Sequence, residues 1–198
     1  MRSRTKAEWR ERALSRRRAI AAEVRTAEDQ ALVGLVTVAV APHSTTVAAY
    51  IPTDLEPGSL ELLDALRGVT GRVLVPVTRG PGPLHWAEYT GADNLAEADY
   101  GLREPTGPIY DPDEIRSADT IFVPALAVDR RGVRLGRGAG FYDRTLGMAS
   151  PDARLIAMVR DDEVVEELPE DPHDVRMGWT LTPRSGLVSL GTPAGAAE

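Results

Sequence analysis

The chain has 198 residues, of which 42% are hydrophobic and 27% are charged, a composition typical of a globular protein with a sizeable core. It contains no cysteine, which excludes disulfides, thiolate metal sites and a cysteine nucleophile, and which fits a reducing cytoplasm. A formal net charge of −7 argues against a general nucleic-acid binder, and no apolar run approaches the roughly 18 residues of a membrane span. We therefore expect a cytoplasmic monomer without nucleic-acid or membrane partners, with one domain over residues 1–190 and a disordered tail over 191–198.

Charge is unevenly distributed along the chain. Residues 1–25 carry nine basic and three acidic side chains, whereas the remainder is strongly acidic. A short basic element in an acidic protein favours a small anionic ligand, although a solvated helix face explains the same pattern. The three histidines, His43, His85 and His173, lack the spacing of metal ligands, so we do not expect zinc.

Hydrophobic periodicity predicts alternating helices and strands. In chain order we expect helices over 4–25 and 26–40, a strand over 45–51, a helix over 59–68, strands over 72–77, 84–89 and 119–126, a short helix beginning in 141–147, and strands over 154–160 and 179–183. Strands that are apolar on both faces and alternate with helices indicate an α/β protein whose mostly parallel sheet is covered on both sides. In such sheets, ligands bind outside the carboxyl ends of the strands.

The first predicted helix combines an apolar face with a basic stripe. The apolar face holds residues near helical spacing: Trp9, Ala13, Ile20 and Val24. The neighbouring stripe holds three cations: Lys6, Arg10 and Arg17. Lys6 is the only lysine of the chain, which favours a specific role for its ammonium group, although a solvated position near the N-terminus explains it equally well.

The segment RLGRGAGFYDR, residues 134–144, has the composition of a phosphate-binding loop. Its alternate glycines (Gly136, Gly138 and Gly140) leave one side of the backbone without Cβ atoms, so that successive N–H groups can turn toward an anion. It is neither a Walker A nor a dinucleotide-binding motif, so positive charge must come from arginines such as Arg134, Arg137 and Arg144. A tight glycine-rich surface turn is the alternative.

Asp143 is unexpected in a purely anion-binding loop. It fits there as a ligand of Mg²⁺, which bridges carboxylates and phosphates. The alternative is a salt bridge from Asp143 to one of the neighbouring arginines.

A longer segment, VPALAVDRRGVRLGRGAGFYDRTL over residues 123–146, resembles the motif of the 5-formyltetrahydrofolate cyclo-ligases. Further similarities occur in the family's order along residues 5–183. They are the K-x-x-x-R of Lys6 and Arg10, the Y-x-P-x-x-x-E of Tyr50 and Glu56, Tyr100 with the following G-L-R-E-P, and LPEDPHD at 168–174. A chance match of all these segments is very improbable.

The resemblance implies an enzyme, a ligase that forms a C–N bond. The reaction is the ATP- and Mg²⁺-dependent closure of 5-formyltetrahydrofolate to 5,10-methenyltetrahydrofolate, with release of ADP and phosphate. It proceeds by phosphorylation of the formyl oxygen and attack by N10. The implied fold is a three-layer α/β/α arrangement with a mostly parallel sheet, like that of the NagB/RpiA/CoA transferase-like proteins.

The resemblance also implies roles for individual residues. The catalytic residues would be Lys6, Arg134, Arg137 and Tyr142. The ATP-binding residues would be Lys6, Arg10, Arg134, Leu135, Gly136, Arg137, Gly138, Ala139, Gly140, Phe141 and Tyr142. Folate would contact Tyr50, Glu56, Tyr100 and Tyr142, and Mg²⁺ would be held by Asp143 and Asp174. Without the family, Glu56 is better explained as a turn acid and Tyr100 as a packed aromatic residue.

The sequence departs from the family's usual residues at several positions: Ala125, Val128, Ala139, Phe141, Gly178 and Trp179. These departures concern pocket shape and the metal side of the site more than the class of reaction. Two other functions remain open. One is a non-catalytic sensor of folate or nucleotide on the same fold, and the other is an ATP-dependent ligase that acts on a different pterin.

Overall fold

The computed structural model describes residues 5–98 and 102–191. The described residues form four α-helices: α1 (Lys6–Ala19), α2 (Ala22–Ala39), α3 (Leu60–Val69) and α4 (Phe141–Leu146). The strands are β1 (Thr46–Ala48), β2 (Arg72–Val77), β3 (His85–Glu88), β4 (Leu95–Glu97), β5 (Arg103–Pro105), β6 (Ile109–Tyr110), β7 (Thr120–Pro124), β8 (Ala127–Asp129), β9 (Arg134–Leu135), β10 (Arg154–Met158), β11 (Val164–Val165), β12 (Trp179–Thr182) and β13 (Gly186–Ser189). Apart from Gly191, the predicted tail lies outside the described residues.

The first predicted helix ends earlier than the sequence suggested. Thr5 caps α1, because its hydroxyl accepts a hydrogen bond from the Glu8 N–H and its own N–H donates to the Glu8 carboxylate. At the other end, Ile20 is extended, with φ −73° and ψ 126°, so α2 begins afresh at Ala22. The break turns the chain, so that Val24 is 49% exposed and does not continue the apolar face of α1.

The main sheet has eight strands in the order β13-β12-β10-β7-β1-β2-β3-β6. The five central strands, from β12 to β2, are parallel. At one side the edge strand β13 pairs antiparallel with β12, and at the other side β3 pairs antiparallel with both β2 and the edge strand β6. This confirms the prediction of an α/β protein with a mainly parallel sheet.

Both faces of the main sheet are buried, because neighbouring residues of each central strand pack on opposite sides. Phe122 of β7 joins the cluster formed with α2 and α3, while Ile121 and Val123 join the opposite cluster. That second cluster contains Leu146 of α4 and Ile115 of a 3-10 segment. The sheet is therefore covered on both sides, as the apolar strands predicted.

A small sheet, in the order β11-β8-β9, contains the two strands that lie along the chain between β7 and the glycine-rich loop of residues 136–140. Its strands have only two or three residues, too few for a periodic pattern to reveal them. Leu126, Leu135 and Leu168 pack there against Ala13 of α1, with Trp9 beside them. Helix α1 thus lies on the small sheet, close to the loop. Among the described helices, none has the length and apolar character needed to cross a membrane.

Candidate functional site

The glycine-rich loop, residues 136–140, connects β9 to α4 and is closely approached by arginines. Gly138 and Gly140 have φ of 103° and 71°, the left-handed region that favours glycine. A Cβ at Gly138 would lie 3.3 Å from the guanidinium carbon of Arg10, and a Cβ at Gly140 would lie 2.8 Å from Nη1 of Arg144. These glycines therefore allow cations to pack directly against the loop backbone.

Two of those arginines bind carbonyl oxygens of the loop. Arg10, on α1, donates from Nε to the Gly136 carbonyl at 2.9 Å, and Arg144 donates from Nη2 to the Ala139 carbonyl at 2.9 Å. The predicted ATP-binding residues of α1 and of the loop are thus neighbours in space. Leu135 points away, because its side chain lies in the cluster of the small sheet. Phe141 packs against the second core cluster, with the Arg144 guanidinium 5.4 Å from its ring centroid.

Lys6 lies between two aspartates. Its Nζ is 2.6 Å from Oδ2 of Asp171 and 2.6 Å from Oδ2 of Asp174. Burial acts to lower the pKa of Lys6, but hydrogen bonds to the two carboxylates outweigh burial and raise it. Burial acts to raise the pKa of Asp174, but the Asp171 N–H and the Lys6 ammonium outweigh it, so the pKa lies below the ordinary value. Lys6 and Asp174 are therefore charged at neutral pH.

Arg134 and Tyr142 form the buried part of the site. Arg134 makes an ion pair with Asp143 through Nη2, and its guanidinium lies 5.8 Å from the centroid of the Tyr142 ring. Arg134 Nε and the Tyr142 hydroxyl are buried without a hydrogen-bond partner in the described structure. Burial, and secondarily the charge of Glu56, raises the pKa of Tyr142 above its usual range, so its hydroxyl keeps its proton. Buried donors without acceptors are rare, and they mark a place where a ligand or water can bind.

The loop of residues 53–58 holds the predicted folate contact Glu56, so we call it the folate-facing loop. It meets the glycine-rich loop through an ion pair. Glu56 Oε2 accepts hydrogen bonds from the N–H and the hydroxyl of Thr53, both at 3.0 Å. Glu56 Oε1 lies 3.2 Å from Nε of Arg137, which also donates from Nη2 to the Thr53 hydroxyl at 3.1 Å. Glu56 is therefore a turn acid and, at the same time, a partner of a predicted phosphate-binding arginine.

The two other predicted folate contacts have different outcomes. Tyr50 is buried, and its hydroxyl donates to the Pro57 carbonyl at 2.6 Å. Burial raises the pKa of Tyr50 well above its usual range. Tyr50 thus supports the loop of residues 53–58 from the buried side of that loop. Tyr100 lies outside the described residues.

The two predicted metal ligands have carboxylates whose chemistry suits Mg²⁺. That ion binds proteins through one or two carboxylates and keeps phosphate oxygens or water as its other ligands. Asp174 lies with Asp171 and His173, and one ligand atom from each is within 4.8 Å of the others. Asp143 is instead paired with Arg134, the salt bridge that was the alternative to metal binding. Asp171 did not stand out in the sequence, because one more acid in an acidic segment gives no signal.

The departures from the family's usual residues mostly fall on structural positions. Val128 and Ala125 are buried, and the Ala125 carbonyl accepts from Arg17 at 2.6 Å. Gly178 leads into β12, and its N–H donates to the Leu155 carbonyl at 3.1 Å. Trp179 lies under the guanidinium of Arg154 at 4.9 Å. These four residues thus contribute to packing or to backbone hydrogen bonds.

Comparisons with known proteins show the family to which the chain belongs. The sequence pattern of the 5-formyltetrahydrofolate cyclo-ligase family matches residues 2–183. A 5-formyltetrahydrofolate cyclo-ligase of Mycolicibacterium smegmatis is 48% identical over 195 residues, covering 96% of this chain and 100% of the relative. A cyclo-ligase of Escherichia coli strain K12 is 30% identical over 141 residues, covering 70% of this chain and 78% of the relative.

A solved structure shares the fold. The NMR structure of Aquifex aeolicus 5,10-methenyltetrahydrofolate synthetase superposes with a TM-score of 0.75 at 24% sequence identity. The match covers 98% of this chain and 96% of that one. The likeness covers nearly all of both chains, and the family pattern spans both of the loops that form the site. The chain therefore belongs to the 5-formyltetrahydrofolate cyclo-ligase family.

Proposed function

We propose that the protein converts 5-formyltetrahydrofolate to 5,10-methenyltetrahydrofolate with consumption of ATP in the presence of Mg²⁺. One observation carries the proposal. Each of three predicted catalytic cations is paired with an acid expected to bind metal or folate: Lys6 with Asp174, Arg134 with Asp143, and Arg137 with Glu56. We call these three the site pairs. A nucleotide phosphate group with a divalent cation carries both charges needed to replace them, anionic oxygens for the cations and a cation for the acids.

The chemistry explains why such a site is needed. An N-formyl group is a poor electrophile, because its oxygen would have to leave as water or hydroxide. Attack of the formyl oxygen on the γ-phosphorus forms an O–P bond and releases ADP. The N10 amine then attacks the formyl carbon and loses its proton, and the oxygen departs as phosphate. Both steps place negative charge on a leaving phosphate oxygen, of ADP in the first and of inorganic phosphate in the second, so positioned cations stabilise their transition states.

The residues of this chain divide that work by their positions. Lys6 and Arg10 would hold the phosphates from α1, and Arg134 and Arg137 would neutralise charge on the transferred group. When bound, a magnesium ion would supply further charge neutralisation at the phosphates, with Asp143 and Asp174 as its protein ligands. Keeping water out of the site also matters, since water would compete with the formyl oxygen for the phosphoryl group.

The folate side uses donors and acceptors that suit a pterin. The Glu56 carboxylate would accept hydrogen bonds from pterin N–H groups once it is released from Arg137. The Tyr142 hydroxyl, which is protonated and unpartnered, would donate to the substrate. Tyr50, which is buried, would act on the folate by supporting the folate-facing loop, and Tyr100 stays a contact predicted from the family resemblance.

The test is an absorbance assay with purified protein, 5-formyltetrahydrofolate, ATP and Mg²⁺. We expect the near-ultraviolet absorbance of methenyltetrahydrofolate to appear only when both ATP and Mg²⁺ are present. One ADP should be released for each molecule of product. Arg130→Ala, which removes an exposed arginine paired with Glu166 at 3.4 Å, should behave as the wild type. No product despite measurable ATP binding would contradict the proposal and favour the sensor. ADP release only with another pterin would favour the other ligase.

We further infer that residues 1–190 act as one domain, that the protein is a cytoplasmic monomer, and that its fold is that of the NagB/RpiA/CoA transferase-like proteins. One buried core on each face of a single large sheet supports the first point. Light scattering of the purified protein and a single cooperative unfolding transition test the state of assembly and the domain count. Comparison of the strand order and connections of the main sheet with those of these proteins tests the fold assignment.

A further inference from the structure

The folate-facing loop is anchored by buried groups on both sides of Glu56. Before Glu56, the Leu55 carbonyl accepts a hydrogen bond from Arg160 Nη1 at 3.2 Å. After it, the Pro57 carbonyl accepts from Tyr50 and the Gly58 N–H donates to the Asp29 carboxylate at 2.8 Å. The backbone on both sides of Glu56 is thus held by contacts that lie away from its carboxylate.

Arg160 differs from the other anchors because it is a buried cation. Its side chain is only 2% exposed, and its Nε donates to Glu28 of α2 at 2.7 Å. A planar guanidinium can hold Glu28 and the Leu55 carbonyl at once, which the single ammonium of a lysine cannot do with the same fixed geometry. Arg160 therefore holds the folate-facing loop to α2.

The backbone of Arg160 extends this connection to α1. Its N–H donates to Glu163 Oε2 at 2.8 Å, and the same oxygen accepts from Arg17 Nη2 at 2.7 Å. Arg17 also donates from Nε to Glu163 Oε1 at 2.6 Å, and its side chain is 1% exposed. A continuous chain of buried hydrogen bonds thus runs from Arg17 through Glu163 and Arg160 to Leu55.

Helix α1 carries both Arg17 and the cations predicted to hold ATP. Arg10 lies seven residues before Arg17, a rise of about 10 Å along the same helix. The two ends of the hydrogen-bond chain are therefore the helix of the phosphate side and the loop of the folate side. Phosphoryl transfer is sensitive to errors of about 1 Å in the placement of the reacting groups, so this separation must be fixed.

We propose that Arg160 is a positioning residue, which sets the folate-facing loop at a fixed distance from the helix that carries Lys6 and Arg10. The inference rests on the proposed function for the identity of the two ligands. Arg160 would touch neither of them. It would act through the placement of Glu56.

The first test separates the two substrates kinetically. Arg160→Met keeps an unbranched side chain but removes both donors, and we expect KM for 5-formyltetrahydrofolate to rise about tenfold, the loss of one charge-assisted contact. The KM for ATP should stay within twofold, because α1 is not altered. Arg160→Lys should restore part of the folate affinity. Arg130→Met, at an exposed arginine, is the matched control and should leave both constants unchanged.

A folate KM within twofold of the wild-type value would overturn the proposal. An equal rise in both constants would also overturn it, since that is the result of general destabilisation. If Arg160→Met does not fold, Glu28→Gln tests the same contact, because it keeps an acceptor oxygen and loses the charge. There we expect a two- to threefold rise in the folate KM alone.

Hydrogen exchange gives a measurement that does not depend on turnover. The Glu56 N–H donates to the Thr53 carbonyl and the Gly58 N–H donates to Asp29, so both amides report on the loop. In Arg160→Met these two amides should exchange at least about tenfold faster, while the amide of Val75 in β2 keeps its protection. Unchanged protection of the loop would contradict the positioning role. Absence of ATP-dependent turnover in the wild type would instead contradict the proposed function, and the exchange result would still decide the role of Arg160.

Discussion

The site pairs and the buried ion pair between Arg17 and Glu163 are built from the same kinds of side chains, but they differ in access to water. In the site pairs one partner is always accessible: Lys6 is 20% exposed, Asp143 28% and Arg137 48%. Behind the site, Arg17 and Glu163 are 1% and 8% exposed. Accessible pairs can exchange partners with a ligand at little cost, whereas a buried charge that loses its partner cannot be rehydrated. The first group is therefore suited to binding and the second to fixing geometry.

Breaking the buried pair should have the largest effect. Arg17→Met leaves the Glu163 carboxylate buried without its cation, and we expect the free energy of unfolding to fall by about 3–5 kcal/mol. Urea titrations monitored by circular dichroism measure this change. Arg17→Met combined with Glu163→Gln should recover more than half of the loss, since glutamine keeps an acceptor for the Arg160 N–H. A loss below about 1 kcal/mol in the single variant would remove the distinction between the two groups of pairs.

Substitutions in the site pairs should have the opposite profile. Lys6→Ala and Asp143→Ala should each lower kcat/KM about 100- to 1000-fold, because a preorganised charge at the transferred phosphoryl group is lost. Both variants should stay folded, and the free energy of unfolding should fall less than in Arg17→Met, because water can reach the places that the Lys6 and Asp143 side chains occupy. Turnover within about tenfold of the wild type in both variants would show that these residues are not part of the catalytic site.

A smaller effect is expected at Arg137, the most exposed of the three cations. Arg137→Gln should lower kcat/KM about tenfold, the value of one hydrogen bond to a charged group, with almost no loss of stability. Added salt should reduce the difference between the variant and the wild type, because exposed charges are screened. An effect independent of salt would argue that Arg137 acts in a desolvated site after substrate binding.

The pH dependence of stability should show the smallest difference. The pKa of Asp174 is lower in the folded protein than its ordinary value near 3.9, so its stabilising contribution is complete above about pH 5 and is lost as the pH falls through the folded pKa. We therefore expect Asp174→Asn to lose less stability than the wild type between about pH 5 and pH 3. Urea titrations at several pH values measure the slope. Identical slopes would show that the pair with Lys6 does not persist in solution.

Much of the fold could be predicted from the sequence. The strand over 72–77 was placed at its observed bounds, and those over 154–160 and 179–183 were predicted within two residues of their ends. Apolar strands on both faces of a sheet give a strong local pattern, which explains this success. The strands of the small sheet were missed because two or three residues contain no period. The end of α1 was missed because alanine and isoleucine at positions 19–22 give no stop signal.

The site could be predicted only where a local motif or the family resemblance marked it. The contact between Arg10 and the glycine-rich loop could be expected, because the family resemblance marks both segments as ATP-binding. The contact of Arg137 with Glu56 joins residues 81 positions apart, and no local pattern contains that information. The sequence predicts only that Arg160 ends a strand. One arginine among many gives no sign that its side chain is buried.

The ion pair between Arg137 and Glu56 has a thermodynamic consequence for the proposed reaction. A move of Arg137 from Glu56 to a phosphate oxygen would free the Glu56 carboxylate for a pterin, and a pterin bound to Glu56 would free Arg137 for a phosphate. Binding of either substrate therefore removes a competitor of the other, so the two binding equilibria are linked and the enhancement is reciprocal. Folate affinity measured with a non-hydrolysable ATP analogue should exceed that measured without it by the same factor by which folate strengthens binding of the analogue.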